Sequence, residues 1–224
     1  MIIKLSTQNL VFTLVFWLFA ITASADSIEQ IEAKSIISAF AANLGNLKNV
    51  QKLKLENMTK QPLTQSEMII YNSVEIEFPD KMTLSFAGEE FVIEGDLVHR
   101  RYEQGYFERL PEELSQRILT PFRQNIIYLA KYFPDLEIAY LGELRVDGKD
   151  FYKLKVVDYD YEVLIDSSNF LLVEIRYQTG EEKRIKRLSD YQIFSGILYP
   201  GQILVSDEEG NLISKIKVIS LETD

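Results

Sequence analysis

The chain has 224 residues, 46% of them hydrophobic, a formal net charge of −10 and no cysteine. That length and apolar content suit one domain with a real core. The acidic balance makes a poor partner for nucleic acid or an anionic membrane surface, both of which need clustered Lys and Arg. Without cysteine there is no disulfide, thiolate nucleophile, zinc ribbon or lipid-modified N-terminal Cys. An exported chain without disulfides fits a bacterial periplasm better than a disulfide-stapled secreted module.

Residues 1–25 read as an address. Lys4 gives a positive start, Leu10 to Ile21 is a short apolar run, and Ala23-Ser24-Ala25 is a small-x-small cleavage pattern. This is the form of a secretory signal peptide, and the apolar run is too short for a membrane span. Cleavage after Ala25 would leave a periplasmic mature chain, a single domain over 26–224. No Pro/Gly/Ser-rich linker, tandem repeat or low-complexity stretch divides it.

Asp26 to Leu44 is expected to be a helix. Ile28, Ile31, Ile36, Ile37, Phe40 and Leu44 fall near a period of 3.6, Ser27 with Gln30 can form a capping box, and Gly45 is a natural stop. The period then changes to two. Strands are expected over Val50 to Asn57, broken by Gln61-Pro62-Leu63-Thr64, and over Met68 to Phe78. After the turn Pro79-Asp80-Lys81, Met82, Leu84 and Phe86 share one face. Further strands are expected at Phe91 to Glu94, Leu97 to Tyr102 and Tyr106 to Leu110. So many evenly spaced strands argue for a continuous antiparallel sheet that curls.

Pro111 to Phe133 interrupts the sheet with helix. Pro111 suits a first helical position, with Glu112 and Glu113 at the positive helix end, and Leu114 and Ile118 share a face. Thr120-Pro121 reads as the cap and first residue of a second helix, because Pro121 cannot continue the first without a kink. That second helix carries Phe122, Ile126, Ile127, Leu129 and Tyr132 on one side and ends at Pro134-Asp135. The sheet resumes at Leu136 to Val146, turns at Asp147-Gly148 and returns over Phe151 to Val157. Tyr161 to Leu221 reads as an antiparallel meander with one buried face. Its markers are Tyr161, Val163 and Ile165, then Leu171, Val173, Ile175 and Tyr177, with turns at Ser167-Ser168-Asn169, Thr179-Gly180, Ser195-Gly196 and Glu209-Gly210-Asn211.

Catalytic motifs are sparse. His99, the only histidine, sits in an expected strand and reads as a structural residue. There is no Gly-x-Ser-x-Gly elbow, phosphate loop or calcium loop. The acidic pairs Glu89-Glu90 and Glu112-Glu113 and the run Asp207-Glu208-Glu209 stand at turns or a helix start, where solvation and helix polarity account for them. Asp158 and Asp160 flank an expected turn. The basic run Lys183, Arg184, Lys186, Arg187 alternates around Ile185 and reads as the solvated face of a strand, or as a docking patch for an acidic partner. Taken alone, these residues specify an exported β-rich domain with an apolar face. They do not name a function.

One set of residues goes further. Tyr161-x-x-x-Ile165-Asp166, then Leu171-Leu172-Val173, Thr179-Gly180, Ser189-Asp190-Tyr191, Gly196 and Pro200 resembles the C-terminal half of the outer-membrane lipoprotein-sorting proteins, the LolA-like carriers. Phe78-Pro79-Asp80-Lys81-Met82 resembles that family's Pro-containing strand entry. The order of export signal, first helix, strands, helical interruption and final meander also matches. The family often carries an Arg a few residues after that Pro, linked to opening and closing; Thr83 stands there in this chain. The chain ends at Asp224 without the extra C-terminal segment of dedicated carriers, which leaves a regulatory relative equally open.

The resemblance implies a mainly β, α+β architecture. A strongly curved, half-open, barrel-like antiparallel sheet would carry an N-terminal helix and a helical lid inserted mid-chain. It also implies a non-catalytic periplasmic carrier of lipid-like ligands, the acyl chains of lipoproteins, with no cofactor and no metal. The alternative is a regulatory or sensor protein of the same fold with a membrane-protein partner. A monomer is expected. Candidate ligand-binding residues, for cavity and lid together, are Leu84, Phe86, Phe91, Ile93, Ile118, Phe122, Ile126, Ile127, Ile138 and Tyr140.

Overall fold

The computed structural model describes residues 30–62, 67–102 and 105–224. The expected signal peptide, the Ser27 cap and Ile28 lie outside the described residues.

Helix α1 (30–44) opens the described chain. Ala33, Ile36, Ile37, Phe40 and Leu44 are buried, at the spacing of one helical face. Ile31, expected on that stripe, is 69% exposed. It lies two residues before Ala33 and so falls off the face that Ala33, Ile37 and Phe40 define. Gly45 ends the helix with φ +111, and a Cβ there would stand 2.8 Å from the Gly196 carbonyl oxygen. Both the turn and this close approach require glycine.

Six strands follow: β1 (Lys52–Pro62), β2 (Glu67–Glu77), β3 (Lys81–Phe86), β4 (Glu89–Glu94), β5 (Leu97–Arg101) and β6 (Phe107–Arg109). Then come helices α2 (Glu112–Arg123) and α3 (Ile126–Tyr132). The chain closes with β7 (Ile138–Val146), β8 (Lys149–Val156), a 3-10 turn (Val157–Tyr159), β9 (Tyr161–Asp166), β10 (Leu172–Thr179), β11 (Glu182–Phe194), β12 (Ile197–Asp207) and β13 (Leu212–Thr223). All thirteen strands form one antiparallel sheet in the order β6-β5-β4-β3-β2-β1-β13-β12-β11-β10-β9-β8-β7. Two meanders are therefore sewn together along β1 and β13, with Leu55 opposite Leu221 and Thr59 opposite Ile216. The sheet curves into an open, barrel-like form, and among the described residues β6 and β7 are its edges. In sequence, α2 and α3 connect those two edges.

Several boundaries differ from the sequence reading, each for a local reason. β1 runs through Gln61 and Pro62 instead of breaking there; Pro62 is the last residue of the ladder, where a missing N–H costs least. Pro121 does not begin a helix. It lies inside α2, and the junction falls later, at Gln124 and Asn125. A proline inside a helix costs about 3 kcal/mol. Burial of Leu119 and Phe122 on either side of it contributes about 1.5–3 kcal/mol each and offsets that cost. Asn125 is the true cap, its Oδ1 accepting from the Ile127 and Tyr128 amides at 2.9 and 3.3 Å. Leu114, paired with Ile118 by spacing, is exposed.

In β10 the expected inward set Leu171, Val173, Ile175 gives way to Leu172 and Ile175, while Glu174 is buried on the opposite face beside Arg187. A bulge between Leu172 and Glu174 shifts the register against β9 and with it the side-chain parity. The buried Glu174 carboxylate accepts from Arg176 Nε at 2.6 Å and Arg187 Nε at 3.1 Å. Ser189-Asp190-Tyr191 lies within β11, where Asp190 takes φ +54.

One apolar core joins α1, α2, α3 and the inner face of the sheet. Among the described residues no helix is long and apolar enough to cross a membrane.

Candidate functional site

Alternation along each strand points a continuous set of side chains inward. Where α2 and the α2–α3 junction lie over that face, packing is incomplete and a cavity of about 580 Å³ remains. This falls within the range of small-molecule sites. Its apolar wall comes from Leu55 of β1, Val74 and Ile76 of β2, Met82, Leu84 and Phe86 of β3, and Phe91 of β4. Across the cavity stand Ile175 of β10, Leu188 of β11, Tyr199 and Ile203 of β12 and Ile216 of β13. Ile118, Pro121, Phe122 and Ile126 cover it.

Six of the ten candidate residues thus come together at the cavity: Leu84, Phe86, Phe91, Ile118, Phe122 and Ile126. The other four pack elsewhere. Ile93, Ile127 and Ile138 are fully enclosed in the core, and Tyr140 is half-buried against it. Sequence reasoning missed the far wall. Its signal was available in the parity that places Leu188 inward on β11, and Ile203 and Ile216 opposite it on β12 and β13.

The cavity is not uniformly apolar. Asn57, Thr59 and Gln61 follow Leu55 inward along β1, and Asn72 Nδ2 donates to Thr59 Oγ1 at 2.9 Å. Asn57 Oδ1 is buried without a hydrogen-bond partner among the described residues. Lys186 also turns inward, two residues from Leu188 and on its face. It is opposite Val205, which in turn is opposite Ser214, so Lys186 and Ser214 share one level of the sheet. Lys60 pairs with Lys215, which brings Gln61 to that level too. Lys186, Ser214 and Gln61 therefore share one end of the cavity, with Thr59 and then Asn57 further along β1.

The basic run is split by this geometry. Lys183 pairs with Glu208, Arg184 with Glu182 and Arg187 with Glu174. Lys186 forms no ion pair among the described residues. Its Nζ donates to Gln124 Oε1 and lies 4.9 Å from the centre of the Tyr177 ring. Half-buried overall, Lys186 keeps its ammonium inside, and burial lowers its pKa to about 7.

The covering helices are tied to the sheet at several points. Tyr161 Oη donates to the Arg123 carbonyl at 3.1 Å, and the Arg123 guanidinium lies 5.0 Å from the Tyr159 ring centre and pairs with Asp96. Lys131 Nζ donates to the Leu47 and Val50 carbonyls at 3.0 and 2.7 Å. Leu119, Ile127 and Leu129 are core residues, whereas Ile118, Phe122 and Ile126 also face the cavity. The acidic pairs have local partners: Glu89 with Arg100, Glu90 with Arg101 and Glu113 with Arg117. His99 is half-buried on β5, opposite in parity to the enclosed Val98. Among the described residues no three His, Cys, Asp or Glu side chains cluster closely enough to hold a metal ion.

No protein-family model and no curated protein matches the chain. Solved structures do match. A LolA superfamily protein from Nitrosomonas europaea superposes with a TM-score of 0.63 at 16% identity, over 86% of this chain and 93% of that one. A DUF1329 family protein from Desulfovibrio piger gives 0.60 at 14% identity, over 86% and 93%. A putative outer membrane lipoprotein-sorting protein domain from Vibrio parahaemolyticus gives 0.60 at 9% identity, over 87% and 93%. The protein has a LolA-like fold.

Within the LolA-like fold, Thr83 can now be placed. Leu84 and Phe86 of β3 face the cavity, and the period of two turns Thr83 to the opposite face. Lys186 turns its ammonium inward from β11, on the other wall.

Proposed function

We propose that the protein is a periplasmic, non-catalytic binding protein for lipid-like ligands, the acyl chains of lipoproteins among them. The observation that carries this reading is the apolar cavity of about 580 Å³ between the curved sheet and α2. An acyl chain moved from water into such a space gains about 0.8 kcal/mol per methylene. The binding needs no reacting group, only shape, dryness and cover. The α2–α3 pair is the cover: Ile118, Phe122 and Ile126 would part from Leu84, Phe86 and Phe91 as a chain enters.

The alternative, a regulator of the same fold that docks through the basic run, has less support. Three of that run's four charges are met by Glu208, Glu182 and Glu174, and the fourth turns inward.

The test is binding of the neutral dye Nile red to delipidated protein, followed by its displacement with an acylated peptide. Leu84→Asp places a carboxylate on the cavity wall and is expected to weaken dye binding at least tenfold while the thermal transition persists. Unchanged dye binding in a folded Leu84→Asp protein overturns the assignment of the cavity. Mass spectrometry of material co-purified from native periplasm would identify the occupant.

A further inference from the structure

Lys186 is out of place in a cavity built only for a hydrocarbon chain. A buried ammonium is stable only when paired or otherwise compensated. Here its partners are a neutral amide oxygen, from Gln124, and the face of the Tyr177 ring. The carboxylate that does line the cavity, Glu89, is engaged by Arg100. Arg117, the other cation at the cavity, is largely exposed and held by Glu113. A Met or Leu at position 186 would serve a purely apolar ligand better.

The surroundings point the same way. Ser214 and Gln61 stand at the level of Lys186, and Asn57 Oδ1, without a hydrogen-bond partner among the described residues, lies further along β1. Leu55, Leu84, Phe86, Phe91, Leu188 and Ile203 make the rest of the wall mostly apolar. A cavity with one polar, cationic end and a long apolar body is complementary to an amphiphile.

We infer that the cavity takes an amphiphile whose apolar chain ends in an anionic group, carboxylate or phosphate, and that Lys186 receives that group at the polar end. The anion replaces Gln124 Oε1 as the partner of the ammonium. Charge is then met by charge in a dry site, where such a hydrogen bond is strong. This rests on the cavity being the ligand site, and the experiment separates the two.

Nile red bound to delipidated protein is displaced with palmitate, methyl palmitate and hexadecyl phosphate. One hydrogen bond to a charged group corresponds to about a tenfold or greater preference. Palmitate, hexadecyl phosphate or both are therefore expected to displace the dye at about tenfold lower concentration than the ester. Whichever of the two acts at the lower concentration identifies the headgroup. Lys186→Met is expected to erase the preference, read as the ratio of displacing concentrations within that variant; should it fail to fold, Lys186→Gln makes the same test. Equal displacement by acid, phosphate and ester in the unmodified protein overturns this inference and leaves the cavity as a ligand site. A preference that survives in both variants overturns the role of Lys186. Displacement by none of the three overturns the inference and the cavity reading together.

Discussion

The Tyr161 hydroxyl donates to the backbone carbonyl of Arg123 at 3.1 Å, joining the first residue of β9 to the last residue of α2. A helix's last carbonyls have no partner within the helix. Here one is met from the sheet, by a ring enclosed in the core. Removing the hydroxyl leaves that acceptor unpaired at a cost of about 1–3 kcal/mol. Tyr161→Phe should therefore lower the unfolding free energy by about 1–2 kcal/mol in urea. Burial also pushes the Tyr161 hydroxyl well above its ordinary pKa. Above about pH 10 the unfolded chain gives up this proton while the folded one keeps it, so the folded state loses stability as pH rises. The Phe variant should lack that share of the alkaline destabilisation; an identical alkaline profile in both proteins would contradict it.

Phe122 and Ile127 lie close in sequence but differ in what surrounds them. Ile127 is enclosed on all sides, whereas Phe122 borders the cavity and packs on Tyr128 with ring centres 5.1 Å apart. A side chain that already faces a void has fewer contacts to lose. Truncation of a large aliphatic core residue costs about 2–5 kcal/mol and of a core Phe about 3–5 kcal/mol. Ile127→Ala should fall within its range, and Phe122→Ala below its own, with a transition only a few degrees lower. Phe122→Ala should also take up Nile red more readily. Thermal melts of the two variants decide the matter: cooperative unfolding of Phe122→Ala at much lower temperature, without dye binding, would make α2 permanent core.

How far the sequence could be read depended on what each signal was made of. The meanders were legible because Tyr161, Val163 and Ile165, and Met82, Leu84 and Phe86, keep strict parity. Asp147-Gly148 marked its hairpin for the same local reason. What failed was parity across an irregularity. The bulge at Leu172 and Glu174 reverses the inward set within a single strand, and nothing in Leu171-Leu172-Val173 announces it. Thr120-Pro121 was misplaced because the rule against helical proline is local, whereas burial of Leu119 and Phe122 is tertiary. Half of the cavity wall followed from β3 and β4. The far half did not, because the register that brings β10 to β13 around to face them is long-range. Lys186 is the instructive case. Counting from Ile185 puts it in solvent, but counting from the buried Leu188 puts it inside.

Asn125 sets the entry of α3 and joins it to α2. Its side-chain oxygen accepts from two of the amides that the helix leaves open. Asn125→Ala should cost about 1 kcal/mol, the usual value of an N-cap. Because Gln124 and Asn125 also line the cavity, the change should show in local opening before global stability. Amide hydrogen exchange in α3 should quicken in Asn125→Ala while that in β9 and β12 stays unchanged. Equal acceleration throughout the sheet would mean that the junction is no separate unit.

The Lys186–Gln124 pair allows a closed set of measurements. Gln124→Leu leaves the ammonium without its amide acceptor, Lys186→Met leaves the amide oxygen without its donor, and the double variant removes both. An unmet buried charge costs more than an unmet neutral acceptor. At pH 6 Gln124→Leu should therefore be the least stable, Lys186→Met less affected, and the double variant close to the unmodified protein. The pH dependence carries a definite sign. Burial holds Lys186 near 7 in the folded chain, while an unfolded lysine titrates near 10.4. Between those values the unfolded chain binds one more proton, so this group makes stability rise with pH. Around the ammonium lie Gln124 and Tyr177, with Tyr199, Glu89 and Arg117 elsewhere on the cavity, and these are common to the unmodified protein and Lys186→Met. The stability difference between those two proteins should consequently move in favour of the unmodified chain from pH 7 to pH 10. The penalty in Gln124→Leu should shrink as pH rises to about 7, where the ammonium of the unmodified folded chain gives up its proton, and stay level above that. Urea unfolding of the four proteins at pH 6 and pH 9 gives both results, and a difference that does not change with pH would place the Lys186 ammonium in water rather than in the cavity.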